Sequence, residues 1–444
     1  MTTRAVPAIT AASESLAAFA PPAGEPGWLA EARRAALGTF RQGGLPTTRQ
    51  EAWRFTSLAP LAGLTLARPA EGDAGLDVKA LLRRAGPLDG PRLVFVNGRL
   101  RADLTRLEGL PPGATLLPLS EAIRRLPELV RPHLGRLAGP GAGALAALSG
   151  ALFEDGAFLH LPRGAAVAPP IRLLHLGGSA GGAVAGFPRL LVLAEAGSLC
   201  TVVEHHLGID GAPYLTVPLA EIVLASGARV DHYRFQEEGD GAFHLGAIHV
   251  EQGAGSRFLS HALALGARLS RGEVHARLVG EGGECHLSGL YLADGDRLAD
   301  NLSVVDHAAP RCTTSETFKG ILDGRGRGVF TGLVRVHQDA QKTQARQMNS
   351  NLLLSDDATA DTRPQLEILA DDVKCSHGGT VGRLDETSLF YLRSRGLDEA
   401  AARSLLIYAF AAEMVEQVRP EPLRERARAL VAARLPGGLR LEAA

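Results

Sequence analysis

Residues 229–235 read RVDHYRF, and residues 243–250 read FHLGAIHV. Apolar and polar residues largely alternate in both segments, and a period of two is that of a β-strand with one buried face. Short segments of this kind, separated by glycine, continue from about residue 158 to residue 370. The middle of the chain is therefore predicted to be β-structure.

Glycines recur at a nearly constant spacing in this region. Strand-like segments begin 30, 28 and 28 residues apart, at Gly197, Gly227, Gly255 and Gly283. Repeats of this length, each too small to bury its own face, are typical of a stacked solenoid. A β-sandwich also has regularly spaced strands, and four glycines among 52 can take this spacing by chance. The repeat alone leaves these alternatives open.

The chain before the β-region has helical spacing of its apolar residues. It is rich in Ala, Leu and Arg and contains one strand-like segment, residues 93–96 (LVFV), which ends at Asn97-Gly98. We therefore divide the chain into a mainly helical region (residues 1–152), a β-core (153–384) and a C-terminal helical domain (385–444).

The C-terminal domain begins with two capping signals. Asp385 and Asp398 are each placed to cap a helix, and the second helix is predicted from Glu399 to about Val418. Apolar residues occupy nearly all sides of this second helix, so it should be buried on nearly all sides. It packs either against the β-core of its own chain or against a partner.

Composition limits the classes of protein. The chain is 45% hydrophobic and 21% charged with a formal net charge of −1, so a basic field for nucleic acid or anionic lipid is not expected. We find neither a bilayer-spanning apolar run nor a secretory signal and expect a cytoplasmic bacterial protein. Four cysteines without a Cys-x-x-Cys motif argue against a disulfide scaffold or a self-contained zinc site.

Motifs for catalysis are also missing from the sequence. It contains no phosphate-binding Gly-x4-Gly-Lys-Ser/Thr loop, and residues 324–328 (GRGRG) are predicted to form a turn. The adjacent carboxylates at 356–357 and 371–372 would point to opposite faces of a strand, so we interpret them as solvated loop residues. Thirteen of the fourteen histidines lie between His160 and His377, and most are predicted to be surface or satisfied residues.

Cys375 and His377 differ from the other potential ligands because they are two residues apart. In an extended segment their side chains project from the same face, where a thiolate and an imidazole suit a soft metal or the iron of a cluster. Two ligands do not complete a site, so the others would come from elsewhere, most economically from a partner chain. An ordinary structural role for this pair stays open on the residues alone.

Residues 371–382 (DDVKCSHGGTVG) resemble the signature of the SufB/SufD family. Further segments fit this family in the same order: residues 318–321 (FKGI), 336–337 (VH), 351–355 (NLLLS), 364–368 (PQLEI), 389–396 (LFYLRSRG) and 407–413 (IYAFAAE). The strong resemblance covers about residues 319–418. It is looser near the N-terminus, where residues 51–56 (EAWRFT) look like an early element of the family.

The resemblance also separates the two paralogues of this family. The B-type subunit has a Glu-His-Glu-Ala element where this chain reads CSHG at residues 375–378, and a cysteine-bearing loop where it reads MNSN at residues 348–351. This chain follows the D-type pattern in both places. The B-type cysteine proposed to receive sulfur is therefore missing here.

The resemblance implies a scaffold subunit of the SUF iron–sulfur cluster assembly complex, not an enzyme. The implied fold is a right-handed parallel β-helix (solenoid) between the two helical regions. The implied partners are a B-type paralogue, which pairs through the β-core, and a SufC-type ABC ATPase, which docks on the C-terminal helices. Cys375 and His377 match positions facing the B-type subunit, where iron or a cluster would be held transiently and not by the lone chain.

Two rival functions remain from other classes. A β-solenoid carbohydrate-active enzyme would use clustered aspartates, but only 5% of the residues are aromatic, which is few for sugar stacking. A His-rich cupin-type metalloprotein would need several histidines to converge within one chain. Neither rival accounts for the ordered C-terminal motifs.

Overall fold

The chain is described from a computed structural model that covers residues 10–434 except residues 71, 73, 74 and 88. The α-helices in these residues are α1 (Ala11–Ala18), α2 (Gly27–Gly43), α3 (Ala59–Ala62), α4 (Val78–Ala85), α5 (Leu119–Arg125), α6 (Pro127–Val130), α7 (Ala144–Leu152), α8 (Glu386–Ser394), α9 (Glu399–Val415) and α10 (Glu421–Arg434). The strands are β1 (Arg92–Val96), β2 (Arg99–Leu100), β3 (Thr115–Pro118), β4 (Gly156–Leu161), β5 (Ile171–Gly177), β6 (Val184–Gly186), β7 (Arg189–Ala194), β8 (Leu199–Gly208), β9 (Tyr214–Thr216), β10 (Leu219–Leu224), β11 (Arg229–Glu237), β12 (Ala242–Gln252), β13 (Arg257–Ala264), β14 (Leu269–Leu278), β15 (Glu284–Ala293), β16 (Leu298–His307), β17 (Thr313–Leu322), β18 (Arg327–Val336), β19 (Gln344–Leu353), β20 (Thr359–Ile368) and β21 (Lys374–Gly382).

The strands form two sheets. Sheet I has the order β2, β1, β5, β8, β11, β13, β15, β17, β19, β21, and sheet II has the order β3, β4, β7, β10, β12, β14, β16, β18, β20. In sheet II, β9 also pairs with β12, and β6 pairs with β9. From β10 onwards the chain alternates between the sheets, and neighbouring strands within a sheet are parallel. This is the predicted parallel β-solenoid. Its parallel ladders exclude the antiparallel β-sandwich and the antiparallel cupin barrel.

The glycine repeat marks corners of the solenoid. Gly197, Gly227 and Gly255 have φ angles of +70°, +69° and +59°, which glycine adopts without the strain that a side chain would cause. The fourth glycine, Gly283, directly precedes β15 as predicted, and its neighbour Gly282, with φ of +71°, has the left-handed conformation at this corner. The GRGRG segment lies at a corner as predicted, with β18 beginning at its fourth residue.

The core of the solenoid lies between the two sheets. Inward-facing residues of both sheets form one apolar cluster, which runs from Leu93 in β1 to Ala345 in β19. The predicted strand at residues 93–96 is confirmed as β1, but it pairs in parallel with β5. The N-terminal region therefore contributes strands to the β-structure as well as helices.

Helices cover the outer face of each sheet. The N-terminal helices other than α4 pack on sheet II, where Phe243 and Leu245 contribute to a second apolar cluster, while α4 packs on the outer face of sheet I. On the outer face of sheet I, Tyr233 and Phe235 pack with α9 and α10 in a third cluster. A fully buried aromatic side chain contributes about 1.5–3 kcal/mol, so the C-terminal helices stabilise the β-core they cover.

The predicted helix caps are present. The side chains of Asp385 and Asp398 accept hydrogen bonds from the backbone N–H groups of Ser388 and Ala401. Helix α9 ends at Val415, close to the predicted end at about Val418. Within the described ranges, no helix is long and apolar enough to cross a membrane.

Candidate metal or cluster site at the open end of the solenoid

The last turn of the solenoid is formed by β20 and β21, and we call it the open end. Each of these strands pairs with one neighbour among the described residues, so the other edge lacks a backbone partner there. Ile368, Leu369 and Val381 are 41%, 64% and 48% exposed at this end. An unpaired edge with exposed apolar side chains is typical of a surface that binds another chain.

Cys375 and His377 lie together on one face of β21. The register places Cys375 beside Ala345 and His377 beside Gln347, and both of these β19 residues are buried in the solenoid interior. Cys375 is half-buried against the interior cluster, and burial raises the pKa of its thiol. His377 is exposed because no further turn covers it.

A buried polar ladder leads to His377 from the interior. Glu316, Gln347 and His377 occupy the same register position in β17, β19 and β21. The Glu316 carboxyl accepts hydrogen bonds from Ser303 Oγ at 2.5 Å and from Gln347 Nε2 at 3.1 Å. Burial raises the pKa of this carboxyl to about 7.

Glu316 and Gln347 were not predicted from the sequence. Strands β17 and β19, which contain these two residues, have polar residues on both faces. The alternation of polar and apolar residues therefore did not show which face lies inside the solenoid. Their spacing was a usable signal, because Glu316, Gln347 and His377 each lie about one repeat apart.

Potential ligand atoms from three or more side chains meet at one place in the described part of the chain. That group is His175, Glu204 and His206, and it includes neither Cys375 nor His377. The described residues thus give the pair at the open end no third His, Cys, Asp or Glu ligand. Three or four ligands are usual for a protein-bound transition metal.

The histidines are more buried than predicted. Eight are buried, namely His175, His205, His206, His232, His244, His249, His261 and His307. Covering helices bury the outer faces of the sheets as well as the interior, so a strand residue on either face loses contact with water. The adjacent carboxylates at 356–357 and 371–372 are exposed in loops, as predicted.

An apolar groove lies between α8 and α9. It is lined by Tyr391 and Leu392 of α8 and by Leu405 and Leu406 of α9, and the neighbouring Phe390 is 73% exposed. The opposite side of α9, which includes Met414, is buried against sheet I. The interpretation that α9 packs on its own β-core is confirmed for this side of the helix, and the side that lines the groove is not covered by any described residue.

Lys319 fixes α9 to the solenoid. Its ammonium group in β17 donates to the backbone oxygen of Phe410 at 3.2 Å and lies 2.5 Å from Glu413 Oε2. It also stands over the Phe410 ring, 4.5 Å from the centroid. The groove is therefore held at a fixed position relative to the β-core.

Comparison with protein families gives two matches. Residues 176–410 match the family described as SUF system FeS cluster assembly, SufBD core domain, and residues 23–173 match the SufBD protein N-terminal region. The chain belongs to the SufBD family. The SufBD core match includes Cys375, His377 and the Glu316–Gln347 ladder.

Curated SufBD relatives align along nearly the whole chain. The iron-sulfur cluster assembly protein SufD of Escherichia coli is 33% identical over 89% of this chain and 91% of its own length. An iron-sulfur cluster assembly SufBD family protein of Synechocystis is 34% identical over 90% and 88%. A Mycobacterium leprae SufBD family protein is 28% identical over 86% and 88%.

Proposed function

We propose that this chain is a non-catalytic scaffold subunit for iron–sulfur cluster assembly and that it pairs with a B-type paralogue through the open end. The observation that carries the proposal is the position of Cys375 and His377, which share one face of an unpaired edge strand. Relatives that align with most of the chain are named as iron-sulfur cluster assembly proteins.

The proposed site is shared between two chains. Thiolate and imidazole both suit the iron of a nascent cluster, which is the cargo and not a resident cofactor. Cys375 and His377 supply two ligands, and the exposed ring of His377 can meet ligands from a chain that extends the sheet. Iron or a cluster is then held only while the partner is in place.

The groove between α8 and α9 is the proposed dock for a SufC-type ABC ATPase. Its lining is apolar, and Lys319 holds it against the same strand ladder that ends at β21. The ATPase would supply the nucleotide-binding loop that this sequence lacks. We place the complex in the cytoplasm, where the four free cysteines stay reduced.

Co-purification tests both partner surfaces at once. The full chain is expressed with a B-type subunit and a SufC-type ATPase in wild-type form, as L369K/V381K, and as Y391E/L405E. The first variant places ammonium groups on the open end and should lose the B-type subunit while keeping the ATPase. The second should show the reverse pattern, because it charges the groove.

Two exposed apolar residues elsewhere provide matched controls. Val279 is 42% exposed and Leu107 is 36% exposed, so V279K and L107E each introduce one charge of the same sign as the matching double variant at a partly exposed apolar position. Both controls should keep both partners. Retention of the B-type subunit by L369K/V381K at wild-type yield would contradict pairing through the open end.

A further inference from the structure

Three potential metal ligands meet inside the solenoid, far from the open end, and we call them the buried cluster. His175 in β5 lies in register with His206 in β8, and Glu204 lies two residues before His206 on the same inward face. One ligand atom from each residue lies within 4.8 Å of the others. The residues are 7%, 5% and 0% exposed for His175, Glu204 and His206.

The two histidines of the buried cluster lack hydrogen-bond partners. Neither ring nitrogen of His175 and neither of His206 is bonded to any described residue. Nearly all buried polar groups in proteins are paired, and each unpaired one costs about 1–3 kcal/mol. Other buried histidines nearby are paired: His205 contacts Glu237 at 2.6 Å, and His244 contacts Glu238 at 2.6 Å.

The rings of the buried cluster are held in place by their neighbours. His175 stacks on His206 with ring centroids 4.6 Å apart and planes at 14°. Phe95 stacks on the other face of His175, 5.3 Å away. One nitrogen of each ring therefore lies close to a carboxylate oxygen of Glu204, in two rings held by stacking.

Glu204 is oriented by a further layer of hydrogen bonds. One of its carboxylate oxygens, Oε2, contacts His232 Nε2 at 3.2 Å, and His232 Nδ1 contacts Ser260 Oγ at 3.2 Å. Burial alone would raise the pKa of Glu204, but the hydrogen bond and charge of His232 lower it to about 2. Such supporting contacts are typical of carboxylates that bind metals.

We propose that His175, Glu204 and His206 bind one divalent first-row transition metal ion, either Zn²⁺ or Fe²⁺. Two imidazole nitrogens and one carboxylate oxygen form a donor set that suits both ions. Coordination would use nitrogens that otherwise have no partner. It would also place positive charge in an interior where Glu204 and Glu238 face the single guanidinium of Arg234.

Two small cavities with shared lining residues lie near the buried cluster. One is lined by His175 together with Asn97, Gly98 and Gly186. The second shares the last three residues and extends to the partly exposed side chains of Arg68 and Glu154.

The buried cluster and the open end are separate sites. Six strand-to-strand steps separate β8 from β21 in sheet I, which at about 4.8 Å each amounts to roughly 29 Å. Occupation of one site therefore requires no ligand from the other. Failure of this proposal would leave the proposed scaffold function intact.

Metal binding by the untagged full chain tests the proposal. Protein freed of metal with a chelator is dialysed without oxygen against Zn²⁺ or Co²⁺, a spectroscopic substitute, and bound metal is counted by mass spectrometry. Wild-type protein should hold about one tightly bound equivalent, and H175Q/H206Q should lose it. The variant C375A/H377A should keep it, because the open end is not involved.

A second stacked histidine pair provides the matched control. His249 and His275 have ring centroids 4.6 Å apart and planes at 6°, but they belong to no three-ligand group among the described residues. H249Q/H275Q should therefore retain the ion. Equal metal content in wild type and H175Q/H206Q would overturn the proposal.

Crystals of the wild-type protein with Zn²⁺ keep the proposal testable if H175Q/H206Q does not fold. An anomalous-scattering peak between His175 and His206 is the expected result. Its absence from crystals grown with a molar excess of Zn²⁺ would overturn the proposal without any variant.

Discussion

The buried cluster and the open end both contain potential metal ligands, but they differ in what covers them. His175 and His206 lie in early turns with strands on both sides and helices outside, whereas Cys375 and His377 lie in the last strand of sheet I. Parallel stacking brings His175 and His206 into register, whereas Cys375 and His377 are two residues apart in one strand. The presence or absence of a further covering turn decides whether the ligands serve one chain or are available to two.

The difference has an energetic consequence. Inside the solenoid a ring nitrogen without a partner carries the full cost of lost hydration, so the buried cluster is costly unless it binds something. At the open end, water solvates His377 until another chain replaces it. Substitutions in the buried cluster should therefore mainly lower folding stability. Substitutions at the open end should mainly lower the iron and sulfide held by the complex.

The largest expected difference is in folding stability. His206→Ala leaves a cavity in a closed interior and should lower the free energy of unfolding by roughly 2–4 kcal/mol, whereas His377→Ala should change it by less than about 0.5 kcal/mol. Urea unfolding of wild type and both variants, each equilibrated with Zn²⁺ so that a His206 nitrogen of wild type is paired, measures this. Similar losses for the two variants would show that the open end is packed like the interior.

The next effect is a pH dependence from Glu316. A carboxyl group whose folded pKa is raised from 4.5 to about 7 binds more protons in the folded than in the unfolded state between these values. Stability from the protonated group is therefore lost as the pH rises through this window. Wild type should lose roughly 2–3 kcal/mol more than Glu316→Gln between pH 4.5 and pH 8.

Urea unfolding at several pH values measures the Glu316 effect. The exposed Glu128 provides a control, because Glu128→Gln should follow the wild-type curve. Parallel curves for wild type and Glu316→Gln would show that the carboxyl is already ionised in the folded protein.

A smaller effect concerns thiol reactivity. Burial raises the pKa of Cys200 to about 12 and also raises the pKa of Cys285, so neither should react in the native protein. Half-buried Cys375 should be the first thiol labelled by iodoacetamide, with a rate that increases above pH 9 because its pKa is raised from 9.0. Peptide mass spectrometry follows the labelling, and a B-type partner should slow it. Labelling of Cys312 at the same rate as Cys375 would contradict the difference in exposure between the two thiols.

Local signals in the sequence predicted much of the fold. The alternation at residues 229–235 and 243–250 corresponds to β11 and β12, and the caps at Asp385 and Asp398 begin α8 and α9. These signals depend on residues close together in the chain. The solenoid itself was predicted more firmly by the family resemblance than by the glycine spacing, which a β-sandwich or chance could also produce.

The buried polar residues could not be predicted in the same way. Alternation assumes that one face of a strand is wet, but in β11 both Val230 and Tyr233 are buried on opposite faces. The meeting of His175 with Glu204 and His206 depends on a register set by the corners between strands. The pair Cys375 and His377 could be predicted from the sequence because both residues lie in one strand.

The central claim is that Cys375 and His377 hold cargo together with a partner chain, and the iron and acid-labile sulfide of the purified complex test it most directly. Ser376 lies between them on the opposite face of β21, so Ser376→Ala is the matched control. We expect that C375A/H377A still assembles with the B-type subunit and the ATPase but holds roughly ten-fold less iron and sulfide, while Ser376→Ala holds the wild-type amount. Full iron and sulfide content in an intact complex of the double variant would contradict the claim.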